Sequence, residues 1–354
     1  MSALASHHAR RDRRGGVAPT AELTTSARLG IVAKRLAIVL GIVVVLAACG
    51  DSDGGDAGGN GNNSPSTTDT SATDMPAEIV AALGTRVVVL SSEDGAVKRT
   101  LVEGETGVSS VAVTPDRSTV YYTRADPNAA CGEGFAFQVM SVPLDGGTPE
   151  VFASGSDAVV SPDGRRIAFA TGGPDQCALP TYLAIQELGT NSFSQQLLEG
   201  GAATLFPLGW SANSRRVLYS TGTIDTVEAR EAEPDSDAPP RTVPLPEGGY
   251  LPAYLGDSGS LAVVQGSGEQ ERVVEIDAAT GEIHRALFEL DPRTAVRSEA
   301  ADPTGRHLLV TTLSGDTGGD RILRWSSGTR PVVLLETEIG ETAADAAWVP
   351  ANGG

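Results

Sequence analysis

The sequence predicts an all-β fold, and three observations support this prediction. Only 20% of the 354 residues are charged and 5% are aromatic. The 42 glycines and 21 prolines interrupt the chain at short intervals, which is typical of short strands joined by turns. Short apolar runs follow these turn residues, and the same arrangement returns every 45 to 50 residues.

The repeated arrangement is a strand-like segment, a tight turn and a second apolar strand. Its five copies are VAVTPDRSTVYYT from Val111, AVVSPDGRRIAFA from Ala158, LGWSANSRRVLYS from Leu208, AYLGDSGSLAVV from Ala253 and EAADPTGRHLLVT from Glu299. In such a turn Pro restricts φ, Asp or Asn hydrogen-bonds to its own backbone, and Gly adopts the left-handed conformation. Two more strand candidates follow each hairpin, such as YLAIQEL and FSQQLLEG in the second copy. Each unit therefore has four predicted strands.

Four strands per unit at this period predict the blades of a β-propeller. Five hairpins are complete, and a sixth first strand, ADAAWVP at 344–350, lacks its partners. The segments EIVAALG at 78–84, RVVVLSS at 86–92 and AVKRTLVEG at 96–104 are predicted to supply them. We therefore predict a six-bladed propeller domain over residues 76–354, closed by strands from both termini, with an open β-sandwich as the alternative. In the second blade, Ile167 and Phe169 are expected to pack against the next blade.

The turn pattern resembles the PD40 type of WD40-like repeat of TolB-like envelope proteins. The resemblance covers about residues 76–350 and is strongest at Ser161-Pro162-Asp163-Gly164 and Asp302-Pro303-Thr304-Gly305. The third copy, Ser211-Ala212-Asn213-Ser214, lacks both Pro and Gly, and the fourth copy is one residue shorter. The resemblance implies a propeller in the cell envelope.

The N-terminal segment predicts an export signal. Residues 36–46, LAIVLGIVVVL, are eleven apolar residues after Lys34 and Arg35, too few for a membrane span of about 20 residues. The next residues, Leu46-Ala47-Ala48-Cys49, resemble the lipobox of bacterial lipoproteins. The resemblance implies that residues 1–48 are a signal peptide with an extended n-region, cut between Ala48 and Cys49, and that Cys49 carries the lipid. A chance cysteine after an apolar segment is the alternative.

Residues 49–75 are rich in Gly, Ser, Asp and Thr, so they predict a flexible tether between the lipidated Cys49 and the propeller. A calcium-binding loop is the alternative reading of the aspartates. Together these features predict a protein that is lipid-anchored to the cell membrane on its extracytoplasmic face.

The net charge of −19 argues against a nucleic-acid partner, because an acidic surface repels phosphate. Residues 1–48 contain seven basic and two acidic residues, so their removal would leave a net charge of −24. This charge serves either solubility outside the cell or an electrostatic site for a basic partner.

Two cysteines remain besides Cys49. Cys131 and Cys177 are 46 residues apart, about one repeat, and each is predicted to lie in the loop between the second and third strands of its blade. Because such loops are neighbours in a ring, we predict a disulfide that joins blades 1 and 2. Two free thiols or a metal-binding pair are the alternatives.

The sequence contains none of the common catalytic motifs, and we predict no metal or cofactor site. His284 and His307 lie in separate blades and are predicted to be surface or packing residues, and the three tryptophans are predicted to pack inside the domain. The segment DTVEAREAEPDSDAPP at 225–240 predicts an exposed loop or an irregular outer strand, with a binding loop as the alternative. Candidate catalytic carboxylates would be the following loop residues: Asp126, Asp175, Asp225 and Glu228.

These observations predict a monomeric, non-catalytic propeller that serves as a binding scaffold for an envelope protein or a glycan. The alternative is a carboxylate-dependent hydrolase or lyase that acts on cell-wall or environmental sugars.

Overall fold

The computed structural model describes residues 75–129, 136–172, 182–190, 195–200, 204–222, 227–266, 270–314 and 319–351. These residues form 24 strands and no helix. The strands of the first half are β1 (Glu78–Leu83), β2 (Arg86–Ser91), β3 (Val97–Val102), β4 (Val111–Val113), β5 (Thr119–Ala125), β6 (Phe137–Pro143), β7 (Glu150–Ser154), β8 (Ser156–Val160), β9 (Arg166–Thr171), β10 (Tyr182–Glu187), β11 (Gln195–Gly200) and β12 (Thr204–Trp210). The strands of the second half are β13 (Val217–Gly222), β14 (Val227–Ala232), β15 (Arg241–Val243), β16 (Gly249–Tyr254), β17 (Ser260–Gly266), β18 (Glu271–Asp277), β19 (Ile283–Glu289), β20 (Thr294–Ala301), β21 (His307–Ser314), β22 (Asp320–Ser326), β23 (Val332–Glu336) and β24 (Ala343–Trp348).

The strands form six antiparallel four-stranded sheets, which we call blades 1 to 6. Blades 1 to 5 each contain four consecutive strands: β4–β7, β8–β11, β12–β15, β16–β19 and β20–β23. Blade 6 combines the C-terminal strand β24 with the N-terminal strands β1, β2 and β3. In this blade Ile79 pairs with Trp348, and Val80 pairs with Ala347. The prediction of six blades closed by strands from both termini is therefore confirmed.

The first strand of each blade lies innermost in the ring. These strands contact one another in the cyclic order β24, β4, β8, β12, β16, β20 and back to β24. Six hydrophobic clusters of buried residues lie between the blades, one for each adjacent pair. The second strands, such as β1 and β9, are buried along nearly their whole length, which explains their continuous apolar sequences.

One packing direction differs from the prediction. Ile167 and Phe169 pack against the preceding blade, in a cluster with Tyr121 of blade 1, and not against the next blade. Ala168 and the other alternate residues of β9 face blade 3 instead, where they join a cluster with Trp210. The reason is the two-residue period of a strand, which places neighbouring side chains on opposite faces of the sheet.

The turns between first and second strands keep one geometry although their sequences differ. A residue with positive φ closes each turn: Arg117 (60°), Gly164 (68°), Ser214 (59°), Gly259 (75°) and Gly305 (70°). In blade 2, the Ser161 hydroxyl donates to Asp163 at 2.6 Å and accepts from the Arg166 N–H at 2.9 Å. In blade 3, Ser211 makes the same two bonds, to Asn213 and from Arg216 N–H, both at 2.9 Å. The third turn therefore forms without Pro or Gly because side-chain hydrogen bonds hold it.

A recurring polar contact ties adjacent blades together. Glu271 and Asp320 are each the first residue of a third strand. Glu271 Oε2 accepts a hydrogen bond from Val296 N–H at 3.0 Å, and Asp320 Oδ2 accepts one from Ala343 N–H at 3.1 Å. In both cases the donor lies on the innermost strand of the next blade, so each buried carboxylate satisfies a buried backbone group across the interface.

The segment at 225–240 is more regular than predicted. Residues 227–232 form the third strand β14, which pairs with both β13 and β15. Ala229, Glu231 and Ala232 are buried, so the prediction of an exposed loop or irregular outer strand is wrong for this strand, whereas residues 233–240 after it form a mostly exposed turn and loop. The sequence misleads here because Glu231, a charged residue, lies inside the interface, where two arginines and a tyrosine compensate its charge.

Candidate functional site

The ring has two chemically different faces. The turns from first to second strands and from third to fourth strands lie on one side, which we call the turn face. The connections from second to third strands and from each blade to the next lie on the opposite side, which we call the loop face. Met75, Val349 and Ala351 line a cavity of about 140 Å³ together with Arg117, a residue of a first turn. Both ends of the described chain therefore lie on the turn face.

The predicted lipid site and disulfide lie outside the described residues. This applies to Cys49 with its cleavage site after Ala48, and to Cys131 and Cys177. The strands that flank the two later cysteines are β5 and β6 in blade 1 and β9 and β10 in blade 2. These are the second and third strands of adjacent blades, and the disulfide stays a prediction.

The structure does not bring the predicted loop carboxylates together where it describes them. Asp126 Oδ1 accepts a hydrogen bond from Asn128 N–H at 2.9 Å in blade 1. Glu228, in blade 3, has a half-exposed side chain that pairs with Arg230 at 3.2 Å. Asp175 and Asp225 lie outside the described residues. The described part of the chain therefore offers no paired carboxylates at these positions.

The two described histidines lie in separate blades. His307 is buried, with its Nδ1 2.8 Å from Ser326 Oγ and its ring edge-on to Trp348. His284 lies exposed on the outermost strand β19. The three tryptophans, Trp210, Trp325 and Trp348, are all buried, so the prediction that they pack inside the domain is confirmed. Across the described residues, no group of three or more His, Cys, Asp or Glu side chains is placed to hold a metal ion.

The wall of the central channel carries charged residues that the sequence analysis did not single out. In every blade, the residue directly after the innermost strand donates its backbone N–H to a carbonyl at the start of the second strand. This shared bond allows the six innermost strands to be aligned residue by residue. The equivalent residues four positions earlier are Ser110, Asp157, Pro207, Leu251, Ser298 and Asp345. In ring order, blades 5, 6, 1 and 2 contribute the four polar residues, and blades 3 and 4 contribute the two apolar ones. Four of the six equivalent positions, contiguous in the ring, are therefore polar at this level.

Backbone bulges bring these side chains to the channel. The ladder between first and second strands shifts register at Ser156/Val159 in blade 2 and at Val296/Ser298 in blade 5. Asp157 adopts φ 56°, a left-handed conformation that is uncommon for a residue with a side chain. A bulge re-aims side chains that would otherwise pack between sheets. Consequently, these strands present polar groups to the channel.

Asp345 is the most connected of these residues. Its Oδ2 accepts a hydrogen bond from Val111 N–H of blade 1 at 3.0 Å, and its carboxyl also bonds to the Ser298 side chain of blade 5. Burial raises the pKa of Asp345 to about 6, against the effect of these hydrogen bonds, and the nearby Asp157 contributes in the same direction. Asp345 therefore titrates near neutral pH.

Asp157 lies on the other side of β4. Its Oδ2 accepts a hydrogen bond from the Ser156 hydroxyl at 2.6 Å, and its backbone N–H donates to Thr123 Oγ1 at 2.9 Å. Thr123 Oγ1 lies 2.7 Å from Ser110 Oγ, which extends the polar network across β4. Burial raises the pKa of Asp157 above its ordinary value. Two carboxyl groups that interact and resist ionisation are suited to bind a proton or a cationic group.

A third carboxyl lies close by on β20. Burial raises the pKa of Glu299 well above its ordinary value, and the N–H of Ala253 on β16 opposes this effect without forming a hydrogen bond of normal geometry. Burial at the interface of blades 4 and 5 therefore favours the neutral form of Glu299.

The signal that marks Asp157 and Asp345 in the sequence is small. Each is an acidic residue three positions before the last residue of an otherwise apolar or small-residue first strand. Nothing local distinguishes such a residue from a solvent-exposed one, because only the ring brings β8 and β24 to opposite sides of β4.

Comparisons with known proteins identify the fold. No protein-family model and no curated protein matches the sequence. TolB from Acinetobacter baumannii is similar in structure, with 16% identity over 78% of this chain and 67% of that chain and a TM-score of 0.61. A putative TolB from Agrobacterium tumefaciens is similar over 78% of this chain and 100% of that chain, with 13% identity and a TM-score of 0.56.

A puromycin-hydrolysing peptidase from Mycobacterium tuberculosis matches 72% of this chain and 43% of that chain, with 18% identity and a TM-score of 0.49. The described residues contain no helix of the length and apolarity that a membrane crossing requires. The chain is thus a six-bladed β-propeller whose fold is similar to that of TolB.

Proposed function

We propose that this protein is a lipid-anchored lipoprotein on the extracytoplasmic face of the cell membrane, and that its propeller is a binding scaffold for an envelope protein or glycan. The observation that carries this proposal is the position of the chain ends. The described chain enters at Met75 on the turn face, so a tether that leads back to Cys49 would hold that face towards the membrane. The loop face then points away from the membrane and is free to meet a partner.

The mouth of the channel on the loop face is the proposed contact site. Asp157 is the second residue of β8 and Asp345 the third residue of β24, and both strands begin at the loop face. The four polar positions include these two carboxyl groups, while Pro207 and Leu251 are the two apolar positions. This arrangement favours a partner group that is cationic at one end and apolar beside it, by charge complementarity. The acidic charge of the chain then also serves binding.

The test is site-specific photo-crosslinking in intact cells. A photoreactive amino acid at Ile339, which is 84% exposed in the connection between β23 and β24, probes the loop face. The matched control is Asp145, an exposed residue of the turn between β6 and β7 on the turn face. We expect a discrete crosslinked species from position 339 and none from position 145. Crosslinks from position 145 alone would place the partner on the turn face and refute the proposed orientation.

A further inference from the structure

We propose that Asp345 and Asp157 form a proton-sensitive contact at the closure of the ring, such that β24 is held against β4 more firmly at acidic than at alkaline pH. This device concerns the protein alone and does not depend on the identity of a partner.

The contact sits where the ring is joined. Asp345 belongs to β24, the C-terminal strand that completes blade 6. Through Ser298 on β20 and Val111 N–H on β4, its carboxyl group links blades 5, 6 and 1. Val111 is the first residue of a strand of only three residues, so β4 has few ladder hydrogen bonds of its own. The bond from Val111 N–H to Asp345 attaches the start of β4 to β24 across the closure of the ring.

Asp157 faces the same strand from the other side. Its backbone is held by the bond from its N–H to Thr123, in a left-handed conformation with φ 56° that is strained for a non-glycine residue. Its carboxyl group acts electrostatically on Asp345 and raises the pKa of that residue. When both groups are ionised they repel one another across β4.

The neighbouring charged groups are committed elsewhere. On β20, Arg297 lies 3.4 Å from Asp320 of β22, and burial raises the pKa of Glu299 well above its ordinary value. On β5, Arg124 pairs with Glu105 at 2.6 Å.

The remaining charged or titratable groups on strands that pack against β24 are His307 on β21, Glu78 on β1, and Arg321 and Arg324 on β22. Arg321 pairs with Asp291 and Glu336, and Arg324 donates to the Ser92 carbonyl. His307 Nδ1 lies 2.8 Å from Ser326 Oγ, and Glu78 is bound by Lys98, Arg99 and Arg117 on the turn face. Among the described residues, Asp157 is therefore the charged group that acts on Asp345.

The direction of the pH effect follows from the linkage between proton binding and the stability of the closed ring. The folded carboxyl of Asp345 has a pKa of about 6, above its ordinary value of 3.8, so the closed ring binds the proton more tightly than an open one. The stability that this proton contributes is fully present below pH 3.8 and is lost as the pH rises through about 6. Because one pKa unit is a factor of ten, the opening equilibrium should increase about tenfold between pH 5 and pH 8.

The experiment is hydrogen exchange of the full chain, purified in detergent, at pH 5 and pH 8, with correction for intrinsic exchange rates. Peptides that contain Val111 and Ala346 report on the closure, and a peptide that contains Leu205 reports on the blade 3 wall, where the equivalent residue is Pro207. We expect protection at the closure to fall about tenfold at pH 8 and protection at Leu205 to change little. Equal changes in both regions, or none, would overturn the proposal.

Variants distinguish the contribution of these two carboxyl groups from general effects of pH on the protein. In Asp157→Asn the repulsion is removed, so the change in protection should shrink, while Asp126→Asn, a loop-face control, should behave like the wild type. An Asp157→Asn protein with the full wild-type change would contradict the assigned role. Because the wild-type profile is itself decisive, the test remains valid even if Asp345→Asn does not fold.

Discussion

The buried carboxylate of Glu231 is predicted to be a major contributor to the stability of blades 3 and 4. Its side chain is only 1% exposed and lies 3.1 Å from Arg216 Nη1 and 2.7 Å from Arg241 Nη2. The Tyr254 hydroxyl of blade 4 donates to its Oε1 at 2.6 Å. In Glu231→Gln the shape is kept, but two cations and a hydroxyl lose their charged partner.

Removal of one member of a buried ion pair costs about 3–5 kcal/mol when the other stays buried. Arg216 and Arg241 have 33% and 42% exposed side chains, so water can partly solvate them in the variant. We therefore expect the free energy of unfolding to fall by about 2–4 kcal/mol, near the lower end of that range.

Equilibrium urea unfolding, followed by tryptophan fluorescence, measures this change. The matched control is Glu228→Gln, the same substitution three residues before Glu231 on strand β14. The Glu228 side chain is 50% exposed and pairs with Arg230. The control should cost about 0–1 kcal/mol, as is usual for surface ion pairs. If the two variants differ by less than about 0.5 kcal/mol, the reasoning that burial amplifies the contribution of this carboxylate is refuted.

Three further predictions follow from the same structure. Gly164→Ala should destabilise the propeller by about 1 kcal/mol, because φ is 68° although the added Cβ meets nothing closer than 3.5 Å. Gly305→Ala should destabilise it more, because its Cβ would lie 2.6 Å from the backbone of blade 4. Equal shifts in the melting temperatures of the two variants would contradict this ranking. Cys49→Ala should release the protein from the membrane fraction, and its retention there would disprove the lipid anchor. Non-reducing peptide mapping should recover Cys131 and Cys177 in one linked peptide pair, whereas two free thiols would disprove the disulfide.

The repeat predicted most of the fold because propeller blades are local in sequence. Each blade from 1 to 5 is made of consecutive strands, so the turn residues and apolar runs are sufficient to locate it. Even blade 6 was predictable, since ADAAWVP lacked partners at one end of the chain and three strand-like segments lacked a first strand at the other.

The errors arose where a side chain's environment comes from another blade. Glu231 reads as part of a charged loop, yet Arg216 and Tyr254 come from other strands to pair with it. Ile167 and Phe169 face blade 1 and not blade 3, a choice that alternation along the strand leaves open until the strand is placed in the sheet.

By itself the sequence determined the all-β class, the number of blades and their closure, because these depend on local turn chemistry and on the period of the repeat. It also predicts export and lipidation, from a short contiguous segment, and these stay predictions. Only the tertiary structure decided that Asp157 and Asp345 flank β4 and that burial raises the pKa of both, and that the chain ends and these carboxylates lie towards opposite faces. Residues 188 positions apart interact only because the ring closes, and burial in that ring sets their pKa values.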